Sequence, residues 1–318
     1  MARSGERPIS RYSAKHRAAL LGSYILLAGP QVADATEIGG TLRALGIDTA
    51  RSGVMEPPGS ARGFISLGYY EARNVRDGSG NDRPDLSNYR LTVESITTRL
   101  SYYWPAVDLL GAQVETRLAI PYLRVNVGFD APGNVHVEGA ESGWADLMLA
   151  PALLGWHTSR YHQIAGIALF APTGDYEARA PVNPGRGYFG WAPIYSFSWY
   201  PADGLEVSGN LGYIFNSRNA GTNYTSGNEA GFDYGIGYSP NATWQLGVSG
   251  YIYKQTTGDK VDGRTVGDGN RGQAVAVGPF VRYGPNRNWG TMLKWQYETQ
   301  VENRAQGNRI MLQFTHAL

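Results

Sequence analysis

The sequence predicts an all-β chain that forms a transmembrane antiparallel up-and-down β-barrel of about twelve strands, with short periplasmic turns and long external loops. Three observations favour this fold class. Apolar residues alternate with small or polar ones, connections alternate between long and short, and aromatic residues gather beside the short turns. Charged residues make up only 17% of the chain, fewer than a soluble enzyme of this length usually carries.

The first 35 residues are typical of an export signal. A basic leader ends at Arg17, an apolar run spans residues 18–29, and Ala33-Asp34-Ala35 supplies small residues ahead of a cleavage site before Thr36. A membrane anchor is the alternative, but the apolar run is too short for a spanning helix. We therefore expect a signal peptide at residues 1–35, a periplasmic or lumen segment at residues 36–60 and an outer-membrane barrel at residues 61–318.

This organisation places the mature chain in the bacterial outer membrane. The lipid bilayer and the barrel-assembly machinery are then the expected partners, together with a small solute. The formal net charge of the chain is +1, and cleavage before Thr36 would remove the whole basic leader. We therefore expect no nucleic-acid partner.

The alternation is clearest in one predicted β-hairpin. From Glu229 to Tyr238 apolar residues alternate with glycines and carboxylates, and the alternation resumes from Trp244 to Gln255 after a turn that contains Pro240. A period of two indicates strands with one apolar face. Because the other face carries glycines and short polar side chains rather than long charged ones, we expect the apolar face to contact lipid.

The connections between predicted strands alternate in length, as in an even-stranded outer-membrane barrel. A Greek-key sandwich would not be expected to show this alternation. The final strand is predicted at residues 309–318, and residues 144–157 alternate poorly, which indicates either a bulge near Pro151 or contact with residues 36–60. The long stretches span residues 71–89, 124–143, 172–187, 216–228 and 256–272, and the short turns span residues 105–112, 158–161, 200–204, 239–243 and 284–288.

Several short motifs occur in a characteristic order. They are Pro-Pro-Gly at residues 57–59, Gly-Trp-Ala-Asp at 143–146 with Pro151 and Gly-Trp-His at 155–157, Ala-Pro-Thr-Gly-Asp-Tyr at 171–176, Asn-Pro-Gly-Arg-Gly at 183–187, the stretch 219–227 and Gly-Pro at 278–279. In these motifs the chain resembles the outer-membrane transporters named after the meta-pathway of phenol degradation. The resemblance implies a barrel linked to the uptake of aromatic or other hydrophobic compounds, and it assigns no substrate-binding residue.

Polar residues and two tyrosines on the parity opposite the apolar face are the candidates for lining a lumen. Both signs of charge occur among them, so we expect weak ion selectivity, although paired charges could equally be structural filler. Tyr251 and Tyr253 offer a stacking surface for aromatic solutes or are simply wall residues. The candidates are Glu115, Arg117, Asp146, Glu206, Asp233, Gln245, Tyr251, Tyr253, Lys294, Gln296 and Glu298.

The function predicted from these features is an outer-membrane channel for facilitated diffusion of small hydrophobic or aromatic compounds. A structural or adhesive barrel without an open pore is the alternative, and an outer-membrane hydrolase is a third reading. We expect no enzyme, because the histidines after export are dispersed and do not converge on a nucleophile in the sequence pattern.

No cofactor and no metal is expected. Calcium at the acidic external loops stays open, although the spacing of Asp259, Asp262 and Asp268 does not match an EF-hand loop.

Overall fold

The computed structural model describes residues 40–105 and 107–318, so the predicted signal peptide and its cleavage site before Thr36 lie outside the described residues. No helix within these ranges is long and apolar enough to cross a membrane. The strands are β1 (Ala61–Arg76), β2 (Ser87–Tyr103), β3 (Gln113–Ala131), β4 (Val135–Trp144), β5 (Leu147–His157), β6 (Tyr161–Ala171), β7 (Gly190–Trp199), β8 (Leu205–Asn216), β9 (Tyr224–Thr225), β10 (Glu229–Tyr238), β11 (Trp244–Gln255), β12 (Lys260–Val261), β13 (Arg264–Thr265), β14 (Gln273–Tyr283), β15 (Trp289–Glu302) and β16 (Arg304–Ala317).

The long strands close into an antiparallel barrel. Each pairs with its neighbour along the chain, and β16 returns to pair with β1 from Arg62↔Ala317 to Arg76↔Arg304. Strands β4 and β5 both pair with β3, at its external and periplasmic parts, and so share one place in the wall. The wall therefore has 12 strand positions, which confirms the predicted fold class.

The two faces of each strand differ as the alternation predicts. In β11, Leu246, Val248 and Ile252 are exposed, whereas Ser249 and Tyr251 are fully buried. Successive side chains of a strand point to opposite sides, so the exposed apolar row faces outward and the buried row faces the lumen. Because neighbouring strands satisfy the backbone hydrogen bonds of every wall strand, the outward apolar surface is suited to contact with the lipid bilayer.

Several predicted strand boundaries were wrong. Residues 71–89 were expected to be a loop, but β1 continues to Arg76 and β2 begins at Ser87. Residues 124–143 were expected to be a loop, but β3 and β4 pair through most of this range up to Ala131↔Val135. The polar side chains of this range lie on an exposed external hairpin, so their polarity reflects contact with water and does not indicate a loop. The last strand begins at Arg304 rather than Arg309, because β15 and β16 are joined by Asn303 alone, in a left-handed conformation with φ 49°.

The poorly alternating region contains both features that its sequence indicated. Pairing of β5 with β6 shifts register between Leu149 and Leu153, around Pro151, which has no N–H to donate. On the inner side Met55 packs in one buried cluster with Leu153 and Ile164. The inner face is therefore apolar because it is covered by protein.

Arginine substitutions at two adjacent residues of β2 test the assignment of the faces. Ile96 is 49% exposed on the outer face, whereas Ser95 lines a cavity on the inner face. Ile96→Arg should destabilise the folded barrel by about 2–4 kcal/mol if its position is near the bilayer centre. Ser95→Arg, the matched control, should cost much less, since a long polar chain finds room in the cavity. Urea unfolding in lipid vesicles measures both, and equal losses would refute the assignment.

Candidate functional site

Residues 40–60, here called the inner segment, run through the barrel lumen from its external to its periplasmic end. At the external end Leu42 lies against Gly190, the first residue of β7. At the periplasmic end the Gly59 N–H donates to the carbonyl oxygen of Tyr103 at 2.7 Å. The lumen position is thus occupied by a segment of the chain that precedes the first wall strand.

Asp233 of β10 holds the middle of the inner segment. Its carboxylate accepts from the N–H groups of Gly46 and Asp48, at 2.8 and 3.2 Å, and forms an ion pair with Arg43 at 3.2 Å. Arg43 also donates to the carbonyl oxygens of Asn210 and Gly231. Hydrogen bonds to a charged acceptor are stronger than neutral ones, so this carboxylate is a principal anchor.

Further wall residues satisfy the backbone of the inner segment. Lys294 Nζ donates to the Ile47 carbonyl at 2.9 Å and to Thr49 Oγ1 at 3.0 Å. Glu206 accepts from the Arg51 N–H at 2.5 Å. A segment without regular secondary structure cannot satisfy its own backbone groups when buried, so it depends on these side chains. Gly235 permits the close approach, because an added Cβ would lie 2.0 Å from the Thr49 carbonyl oxygen.

All eleven predicted lumen residues are buried, each at most 9% exposed. Their burial places them inside the wall, but their role in passing a solute stays a prediction. Four of them form hydrogen bonds with the inner segment, namely Glu206, Asp233, Lys294 and Gln296, and Tyr251 and Tyr253 pack against its Leu45.

The hydrogen bonds and ring contacts of the other predicted residues are with one another or with the wall. Arg117 donates to Glu115 at 2.7 Å, and Gln245 donates to Glu206 at 2.8 Å. Tyr251 donates to Glu298, while the ring of Tyr253 lies under the Arg304 guanidinium, 4.4 Å from its centroid. Asp146 lies apart from the rest and accepts from the N–H groups of Gly174 and Arg186, which organises the external connection between β6 and β7.

Two cavities separate the inner segment from the part of the wall formed by β1–β3, β15 and β16. The larger, about 250 Å³, lies towards the external end, where Pro184 and Arg186 contribute to its lining. The smaller, about 120 Å³, lies towards the periplasmic end beside Tyr103 and Thr315. Ile47 borders both cavities, so the two cavities adjoin each other at this residue of the inner segment.

The sequence pattern missed several arginines that line these cavities. Arg99 ion-pairs with Asp48 of the inner segment at 2.7 Å, and Arg309 donates to the Leu45 carbonyl. The parity rule would have found both, because Arg99 shares the inner parity of β2 and Arg309 that of β16. Arg304 was missed because the last strand was predicted to begin after it.

The residues considered for other chemistry do not assemble a site. His157 and His162 contact each other at 3.2 Å beside a periplasmic turn, and His136 contacts Asp130 at 2.6 Å on the external hairpin. Asp259 is buried and accepts from Tyr224, Gly227 and Gln255, so it braces the external connections. Within residues 40–105 and 107–318 no group of three or more histidine, cysteine or acidic residues could hold a metal ion.

A closed wall with an outward apolar band and a polar interior defines a bacterial outer-membrane β-barrel protein. Within that class the chain belongs to the family described as "Putative MetA-pathway of phenol degradation", whose profile matches residues 72–314. The match confirms the resemblance drawn from the sequence motifs. No curated protein matches the chain in sequence.

Solved structures extend the comparison of the fold. The COG4313 outer membrane channel from Pseudomonas putida F1 has a TM-score of 0.71 at 17% identity, over 83% of this chain and 97% of that one. The β-domain of the Bordetella autotransporter BrkA has a TM-score of 0.49 at 11% identity, over 82% and 100%. A mutant of TodX, a monoaromatic hydrocarbon channel, has a TM-score of 0.40 at 10% identity, over 82% and 91%. The first likeness shows the fold, and the other two are too distant to support an argument.

Proposed function

We propose that the protein is an outer-membrane channel for facilitated diffusion of small hydrophobic or aromatic compounds. The observation that carries the proposal is the pair of cavities that flank Ile47 between the inner segment and the wall. The larger cavity has apolar walls that include Leu91, Val93 and Leu123. Such a cavity suits a small apolar solute better than a strongly hydrated one.

Family membership supports the same class of solute, since the family takes its name from phenol degradation. The solved structure with a TM-score of 0.71 is that of an outer membrane channel. The proposal extends to the predicted organisation: export by residues 1–35, a lumen segment at 36–60, a barrel at 61–318, and insertion into the lipid bilayer by the barrel-assembly machinery. In this proposal Glu206, Asp233, Lys294 and Gln296 hold the inner segment, the other predicted lumen residues support the route, and no enzymatic step is involved.

Conductance in planar bilayers tests the proposal. The mature protein should give discrete current steps that are interrupted when phenol or benzoate is added, because the aromatic solute occupies the same narrow route. Ser95→Trp should lower the current, since Ser95 lines the larger cavity. Thr98→Trp is the matched control, because Thr98 is exposed on the outer face of the same strand.

Two results would count against the channel. One is a folded, inserted protein that passes no current and binds no aromatic solute, which would favour a structural or adhesive barrel. The other is an equal loss of current in both tryptophan variants, which would place the route elsewhere than in the larger cavity.

A further inference from the structure

We propose that the larger cavity recognises the anionic form of an aromatic or similarly hydrophobic acid, with its carboxylate against the guanidinium of Arg304. The inference rests on the proposed function and specifies its substrate class. A ring would lie among the apolar side chains of Leu91, Val93, Leu123 and Val125, which line the cavity. An apolar cavity of about 150 Å³ is enough for benzene, so about 250 Å³ leaves room for a carboxylate as well.

Arg304 supplies donors that the protein itself does not use. Its Nε and Nη1 atoms are shielded from solvent and have no acceptor within residues 40–105 and 107–318. A guanidinium carries five N–H donors and stays charged, and leaving them unpaired away from water costs free energy. Arg304 Cζ lies 4.4 Å from the centroid of the Tyr253 ring. This ring attracts the guanidinium through its face and does not accept hydrogen bonds from Nε or Nη1, whose N–H groups point along the guanidinium plane. A carboxylate is the acceptor whose geometry matches this fork.

Two of the carboxylates near Arg304, Glu298 and Asp146, are committed to other donors. Glu298 accepts from the Tyr70 hydroxyl at 2.7 Å, from the Tyr251 hydroxyl and from the Gly307 N–H at 2.8 Å. Asp146 borders the cavity but accepts from two backbone N–H groups of the external connection. Neither forms an ion pair within 4.0 Å of Arg304 in the described part of the chain.

The charges that line the two cavities favour an anion even after ion pairing. Arg43, Arg62, Arg99 and Arg117 form ion pairs, whereas within residues 40–105 and 107–318 Arg304 and Arg309 of the larger cavity and Arg51 and Arg282 of the smaller cavity form none. The larger cavity is lined by four arginines, Arg43, Arg186, Arg304 and Arg309, and by one carboxylate, Asp146. The smaller cavity is lined by five arginines, Arg51, Arg62, Arg99, Arg117 and Arg282, and by two carboxylates, Asp48 and Glu56. Rings of arginine are a feature of anion pores. The proposal gives the channel a preference for anions, whereas the expectation of weak selectivity was drawn from the sequence without most of these arginines.

Calorimetry with benzoate and benzamide tests the recognition directly. The two compounds share a ring and differ in charge, so the purified protein should bind benzoate more tightly than benzamide. Arg304→Gln should weaken benzoate binding roughly tenfold, the loss expected for a hydrogen-bonded charge, and leave benzamide binding unchanged. Arg304→Lys retains the charge and should keep most of the preference. Arg73→Gln is the control, since Arg73 is exposed and pairs with Glu71.

Planar-bilayer reversal potentials in a potassium chloride gradient provide the second measurement. The wild-type potential should lie towards that of chloride and shift towards zero in Arg304→Gln. Equal binding of benzoate and benzamide, or an equal loss of both in Arg304→Gln, would overturn the assignment of the anion while leaving the channel intact. A protein that binds neither compound and carries no current would overturn the channel as well. If Arg304→Gln does not fold, the wild-type comparison of the two compounds still decides.

Discussion

Deleting residues 41–56 should raise the single-channel conductance of the reconstituted protein several-fold. The inner segment occupies the lumen beside β8, β10 and β11, where Asp233, Glu206 and Lys294 bind it. Its removal would leave the wall of 12 strand positions intact, because the wall strands pair with one another and not with the inner segment. Barrels wider than about eight strands have room for water inside, so the exposed charges would be hydrated rather than buried.

The control deletion removes residues 260–265, the small external hairpin of β12 and β13. This hairpin pairs with β9 and lines neither cavity, so its loss should leave the conductance near that of the wild type. A milder variant, Lys294→Met, removes two hydrogen bonds to the inner segment and should give brief openings of the larger size. If the deletion of residues 41–56 conducts no more than the control deletion, the inner segment does not limit the pore.

The barrel could be predicted from the sequence because its main signal is local. The outward exposure of Leu246 and Val248 and the burial of Tyr251 follow from parity along a single strand. Each short turn then joins two such strands, and this repeats around the wall. That prediction needs no knowledge of contacts between distant residues. At residues 124–143 the polar composition led to the wrong prediction of a loop, because strands β3 and β4 extend beyond the membrane there.

The lumen could not be predicted in the same way. Arg43 and Asp233 form an ion pair across more than half the length of the chain, and no pattern in either neighbourhood specifies the partner. Arg99 and Arg309 approach the same inner segment only because closure places β16 and β2 on either side of β1. Which residues line the cavities therefore depends on where the inner segment lies, and its irregular backbone has no periodicity to read.

Glu298→Ala should destabilise the barrel by about 2–5 kcal/mol, because it removes the only acceptor of the buried Tyr251 hydroxyl within the described residues and leaves Tyr70 only its longer bond to the Ala305 carbonyl, at 3.3 Å. Tyr70 and Tyr251 both donate to this carboxylate, as does the Gly307 N–H. Glu94→Ala is the control on β2, where the glutamate side chain is 54% exposed, and should change stability by less than about 0.5 kcal/mol. Urea unfolding followed by tryptophan fluorescence measures both variants in the same lipid.

The loss of stability caused by Glu298→Ala also shows whether the inner segment excludes water from the lumen. Leu45 packs in one buried cluster with Tyr251 and Tyr253, so the tyrosine hydroxyl is shielded while the segment is in place. In the background that lacks residues 41–56, water would replace the lost acceptor and the cost should fall to about 1 kcal/mol or less. The effects of Glu298→Ala and of the deletion are expected to be non-additive only if the inner segment shields the surroundings of Glu298 from water. An unchanged cost in the deletion background would mean that the wall alone buries Glu298.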